Sequence, residues 1–151
     1  MNSCRRYTKR NAVILIFFIG LMLLTGCVCN QPDRETVLLR GTGWLLIELG
    51  GSPVASSPAM TLNFSDNGKV NGSDGCNLYG STYTAENGII NISEQMVMTE
   101  KACPAPIMQQ AATFTTALKQ AASYRTENGR LILSASDGTD SAVFLPRNQC
   151  C

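Results

Sequence analysis

Sulfur carries most of the potential chemistry in this sequence, which has seven cysteines and no histidine. Cys27 closes the stretch Leu24-Thr25-Gly26-Cys27. Its thiol can accept a diacylglyceryl group, and the small residues Thr25 and Gly26 would let an extended backbone enter a protease that cuts between Gly26 and Cys27. Ahead of it stand Arg5, Arg6, Lys9 and Arg10, then an apolar run from Ala12 to Leu24 broken only by Gly20. A cationic head followed by such a run is a secretory signal pattern. A bilayer core of about 30 Å needs about twenty apolar residues in a helix, so this run is too short to span one. Residues 1–26 are therefore expected to be a removable lipoprotein signal peptide, with Cys27 the lipidated first residue. Each buried methylene is worth about 0.8 kcal/mol, so two or more acyl chains would hold the chain to a membrane. Val28 is not the aspartate associated with inner-membrane retention, which makes the periplasmic face of the outer membrane the expected location.

The other sulfurs set further limits. Cys4 leaves with the signal, and Cys29, Cys76, Cys103, Cys150 and Cys151 remain, an odd number in an oxidising compartment. Cys76 and Cys103 lie inside the domain near turn residues. They are either a disulfide or two buried free thiols. A zinc site has little support without histidine or a paired Cys-x-x-Cys in the domain. Ser-His-Asp and Cys-His arrangements are excluded by the absence of histidine, and Cys76 has no usual base to activate it.

The segment from Gly72 to Gly80 is rich in glycine, but no lysine follows it and no helix starts there, so it lacks the parts of a phosphate loop. Gly72, Gly75 and Gly80 are expected at bends or bulges, with Asp74 and Asn77 satisfying local N–H groups. A pair of acids in the manner of a glycosidase is the remaining catalytic option, from Asp66, Asp74 and Glu94. Acidic residues beside glycine more commonly serve turns. The expectation is a protein without catalytic residues, cofactor or metal.

Charge points the same way. The chain carries twelve Lys and Arg against eleven Asp and Glu, and four of the basic residues precede Cys27, so the remainder has eight against eleven, a net charge of −3. Nucleic acid binding needs a clustered basic excess, and none is present.

The elements that must position these residues are mostly strands. After a polar tether over residues 27–36, short apolar segments alternate with turn residues. Met60, Leu62 and Phe64 fall on one face of an alternating run. Trp44–Leu49, Tyr83, Ile89–Ile92, Met96–Thr99, Tyr124–Thr126, Leu131–Leu133 and Ala142–Leu145 are further strand candidates. Asp66-Asn67-Gly68, Glu86-Asn87-Gly88, Glu127-Asn128-Gly129 and Ser136-Asp137-Gly138 carry the Asn-Gly and Asp-Gly pairs of tight reversals. An antiparallel meander follows, and such a curled sheet tends to close on itself. One helix is expected from Ala105 or Pro106 to Ala122, with Ile107, Ala111, Phe114, Leu118 and Ala121 as its apolar stripe.

Several motifs resemble the META domain, the family that includes the heat-shock protein HslJ: Gly41-Thr42-Gly43-Trp44-Leu45-Leu46, Met60-Thr61-Leu62-Asn63-Phe64-Ser65, Gly72-Ser73-Asp74-Gly75-Cys76-Asn77, Tyr79-Gly80-Ser81, Ala102-Cys103-Pro104 and Ala142-Val143-Phe144. The resemblance covers residues 37–147, leaving residues 148–151 as a tail. It implies a mainly β fold, a curled antiparallel barrel-like sheet with one packed α-helix. It also implies an envelope-stress or structural role with no established reaction. Two kinds of function fit: a membrane-anchored protein that binds a periplasmic or envelope protein, or a small barrel that carries a lipid or hydrophobic small molecule or pilots a secretion subunit. A carrier would need an open apolar cavity of a few hundred cubic ångströms, whereas Trp44, Phe64, Tyr83, Phe114 and Phe144 are enough to fill a small barrel.

Overall fold

The computed structural model describes residues 39–55 and 57–147. The expected signal peptide, the lipidated Cys27, the tether, Cys29, and the tail with Cys150 and Cys151 lie outside the described residues. The elements run β1 (Thr42–Leu49), β2 (Ser52–Pro53), β3 (Met60–Phe64), β4 (Lys69–Asp74), β5 (Leu78–Glu86), β6 (Ile89–Ile92), β7 (Val97–Met98), α1 (Ala105–Gln120), β8 (Ala121–Glu127), β9 (Arg130–Ala135) and β10 (Asp140–Pro146).

Strands β1, β3, β4, β5, β6, β8, β9 and β10 form a closed antiparallel barrel, because β10 pairs with β1 as well as with β9. Closure removes the open edges that invite pairing with other chains. The two short strands stand outside the ring: β2 shares an edge of β1 with β3, and β7 shares an edge of β5 with β6. The thinnest seam lies between β6 and β8, held by the Ile89–Ser123 register pair and a 2.8 Å bond from Tyr124 N–H to the Gly88 carbonyl. The hairpins at Asn87-Gly88 and Asn128-Gly129 place both residues of each pair at positive φ, 52° and 80° in the first, 52° and 73° in the second. That conformation matches the twist of the flanking strands and explains the Asn-Gly choice.

Helix α1 links β7 to β8 and packs against β1, β4, β6, β9 and β10. Pro106 sits in its first turn, where a missing N–H leaves no bond unmade, and Ile107 and Met108 donate to the Pro104 carbonyl at 2.9 and 3.1 Å. Its buried face is Ala111, Phe114, Ala117 and Leu118. The helix is shorter than its sequence suggests. Ala121 is already extended and opens β8, paired with Ala135, so sheet pairing overrides the helix preference of two alanines.

Every barrel strand and α1 contribute to one core cluster whose members are no more than 8% exposed. At its centre Phe114 lies edge-on to Tyr79, ring centroids 6.0 Å apart, and tilted against Phe144 at 6.3 Å, while Phe64 and Tyr83 meet at 4.7 Å. Aromatic pairs in these geometries add about 0.5–1.5 kcal/mol each beyond the area they bury.

Candidate functional site

The Gly72–Gly80 segment is strand, turn and strand. Val70, Gly72 and Asp74 are the inward positions of β4, and with one glycine and one carboxylate among three the alternating apolar signal disappears. Gly72 and Gly80 therefore lie inside β4 and β5 instead of at bends, while Gly75, at φ 92°, makes the turn between them. Gly72 is opposite both Leu62 and Tyr79. A Cβ there would stand 1.9 Å from the Thr61 carbonyl oxygen and 2.9 Å from the Tyr79 hydroxyl. The space is taken by a 2.8 Å hydrogen bond that Tyr79 Oη donates to that carbonyl. Burial, and secondarily the Asp74 charge, push the Tyr79 phenol well above the usual tyrosine range, so it remains a donor.

Asp74 is 1% exposed and uses its carboxylate within the turn. Oδ1 accepts from the N–H groups of Cys76, at 2.8 Å, and Asn77. Asn77 is also buried, but it serves a distant segment: its Oδ1 accepts from Thr99 Oγ1 at 2.9 Å and from Lys101 N–H at 2.8 Å. Leu78 N–H donates to Thr99 Oγ1 at 3.1 Å, and Thr99 N–H to the Leu78 carbonyl at 3.0 Å. Cys76 and Cys103 are joined as a disulfide with Cα atoms 6.1 Å apart, settling the alternative of two free thiols. Ala102, Cys103 and Pro104 thus fasten the start of α1 to the β4–β5 turn. The glycine-rich motif and the Ala-Cys-Pro motif are two halves of one staple on the barrel rim.

The acids considered for catalysis do not converge as a set. Asp66 lies in the turn before β4 and Asp74 at its far end, roughly 20 Å apart at the rise of a strand, and Glu94 is exposed after β6. No cluster of three metal-ligating side chains occurs among the described residues. A different polar group, missed from the sequence, sits on the outer face of β8, β9 and β10. Arg125 forks onto Asp140 with contacts of 2.8 and 2.7 Å, and Ser134 Oγ donates to Asp140 Oδ1 at 2.8 Å. These bonds hold the Asp140 carboxyl down at about 2. Arg125 and Asp140 are fifteen residues apart in the chain, so only the β8–β9–β10 register could have revealed the pair. Beside Asp140 an open groove of about 560 Å³ runs between the outer face of α1 and the β9–β10 turn.

One outward patch is apolar. Gly80 stands opposite Val97 in the β5–β7 pairing, with Leu78 diagonal to Val97 on the same face. A Cβ on Gly80 would meet nothing within 4 Å. Val97 is consequently 80% exposed and Leu78 59%. Because Thr99 and Leu78 form a hydrogen-bonded pair, the intervening Met98 turns its backbone N–H and C=O away from β5. No other strand pairs with that edge among the described residues. The result is a small dimple between two exposed aliphatic side chains, next to an open stretch of strand edge.

Fold and rim together define a small helix-packed antiparallel barrel with its motif residues committed to holding one end together. Residues 37–148 match the META domain, and the chain belongs to that family. It is similar in fold to a protein from Burkholderia xenovorans solved by NMR, at 23% identity and TM-score 0.61, covering 76% of this chain and 87% of that one. It is also similar to a DUF4847 family protein from Bacteroides vulgatus solved by crystallography, at 17% identity and TM-score 0.55, covering 74% and 96%. No curated protein matches the chain.

Proposed function

We propose that this is an HslJ-like envelope lipoprotein, anchored through Cys27 to the periplasmic face of the outer membrane, that serves a stress-response or structural role by binding another protein and catalyses no reaction. The observation that carries the reading is the Gly80 dimple with the open β7 edge. An extended segment of an envelope protein would add its backbone to Met98 and place a side chain between Leu78 and Val97, a recurring mode of peptide recognition. The filled interior supports protein binding over a lipid carrier, since side chains from all eight barrel strands occupy the place a cargo would need.

The test is photo-crosslinking in intact cells with the reactive residue at Val97, and with a control at the exposed Arg130 on β9, a strand that pairs with none of β4, β5 and β7. A discrete protein adduct at Val97 and none at Arg130 is expected. Absence of an adduct at Val97, together with a small hydrophobic molecule retained by the protein in native mass spectrometry, would replace this reading with that of a carrier. Palmitate labelling lost in Cys27→Ser checks the anchor separately.

A further inference from the structure

The geometry points to a binding site for a linear aliphatic polyamine in the groove between the outer face of α1 and the β9–β10 turn. This goes beyond the envelope reading and does not depend on it. The groove, about 560 Å³, has the size of a small-ligand cleft. What sets it apart is how its hydroxyls are spent. Thr113 Oγ1 lies 3.0 Å from the Gln109 carbonyl, Thr116 Oγ1 2.8 Å from that of Ala112, and Ser141 Oγ 3.1 Å from that of Leu133. A carbonyl can only accept, so each hydroxyl gives up its one proton to the backbone and keeps only lone pairs for a ligand. The Thr139 hydroxyl is committed in the same way to Asp137, whose Oδ1 also accepts the Thr139 N–H at 2.9 Å. Even the Gly50 N–H in the lining is taken, by the Ser141 carbonyl at 2.9 Å.

Charge adds to this bias toward acceptors. Asp140 is already forked by Arg125, whereas Asp137 has no cationic partner among the described residues. The bonds from the Thr139 N–H and hydroxyl hold the Asp137 carboxyl below the usual carboxylate range, so it stays ionised. Lys119 lies outside the lining. α1 ends at Gln120, which brings the negative pole of its dipole to the same groove. A ligand that fits must donate hydrogen bonds and carry positive charge.

The remaining walls set its shape. Leu49, Ala112, Ala117 and Ala135 give the groove an apolar part, which suits methylenes and not a hydrated metal ion. Gln109, Thr113, Thr116 and Gln120 form one ridge along α1, four, three and four residues apart, so side-chain oxygens recur about once per helical turn of about 5.4 Å. Ammonium groups joined by short methylene links repeat at a similar interval. A chain of such links would lie along the ridge, with its carbons on the alanines and one ammonium at Asp137.

Calorimetric titration of the full-length protein in a non-ionic detergent, with spermidine as the probe, tests the site. One saturable site is expected, weakening as salt is raised. Asp137→Asn removes the charge but keeps an oxygen for the Thr139 N–H, and Thr113→Lys places an ammonium of the protein's own in the groove from an exposed position on α1. Each should weaken binding about tenfold or more while the protein melts close to the parent. Glu94→Gln, which removes an exposed acid elsewhere, should bind like the parent. No saturable site in the parent, or a site that either groove variant leaves intact, would overturn the proposal. An equal loss in Glu94→Gln would do so too, by showing diffuse attraction to the chain's net negative charge. Trilysine binding more tightly than spermidine would replace the polyamine with a basic peptide, and displacement of spermidine by the neutral sugar maltotriose would show that charge does not select the ligand.

Discussion

The hydroxyl of Tyr79 occupies the place that a side chain on Gly72 would need. The two residues face each other across the β4–β5 ladder, and Oη bonds to the Thr61 carbonyl in the gap that the missing Cβ leaves. Gly72→Ala must move backbone, because the clash at 1.9 Å is with a carbonyl oxygen and not with a flexible side chain. A loss of about 2–4 kcal/mol is expected, from overpacking and a buried phenol deprived of its partner. Tyr79→Phe removes only the bond and should cost about 1–2 kcal/mol. Urea unfolding midpoints at constant slope read both; an Ala variant as stable as the parent would show that the Tyr79–Thr61 contact does not constrain this position.

Reduction of Cys76–Cys103 should loosen the rim without dissolving the barrel. The bridge joins residues 27 apart, which on the chain-entropy account corresponds to about 3–4 kcal/mol. Asn77 still bonds to Thr99 and Lys101 after the sulfurs part, so the β4–β5 turn keeps part of its hold on the helix start. Cys76→Ser with Cys103→Ser should melt lower than the parent yet cooperatively. Adding Asn77→Ala to that variant should unfold the 99–104 segment first, seen as faster amide exchange at Ile107 and Met108.

These two arguments show what the sequence could and could not disclose. Strands with three inward apolar residues, such as Met60, Leu62 and Phe64, were legible from alternation, and the Asn-Gly pairs marked their reversals. The strand β4 was not, because its inward face is Val70, Gly72 and Asp74: a glycine chosen for a neighbour's hydroxyl and an acid chosen for two backbone N–H groups both read as loop. The staple was half legible. Cysteine count and position raised the Cys76–Cys103 pairing, but nothing near Asn77 foretells partners more than twenty residues downstream. The end of α1 was hidden for the converse reason, since Ala121 and Ala122 favour helix locally and only pairing with β9 makes a strand of them.

Acid should weaken the outer face of β8–β10 in a defined window. Arg125 holds the folded-state carboxyl of Asp140 at about 2 against an ordinary 3.8. A depressed carboxylate contributes stability that is complete above its unfolded value and is lost as pH falls through the folded one, here between about pH 4 and 2. Both side chains are partly open to water, 43% and 42% exposed, so screening reduces the contribution to about 1 kcal/mol or less. Asp140→Asn should flatten the stability–pH curve in that window and leave it unchanged in slope above pH 5. An unaltered acid limb in the variant would show that the pair contributes no measurable stability.

Gly80 offers a way to separate folding from binding at the proposed partner surface. It lies in mid-strand with ordinary backbone angles and open space where a Cβ would go. Glycine inside a strand forfeits both conformational restriction and side-chain packing, so Gly80→Thr should raise stability by up to about 1 kcal/mol while covering Val97 across the ladder. The same methyl and hydroxyl fill the dimple. If a partner strand seats a side chain there, the Val97 crosslink should disappear in a variant that melts higher than the parent. An undiminished crosslink would mean that the partner passes over the patch without entering it, and the docking surface would have to be sought instead along the groove between α1 and the β9–β10 turn.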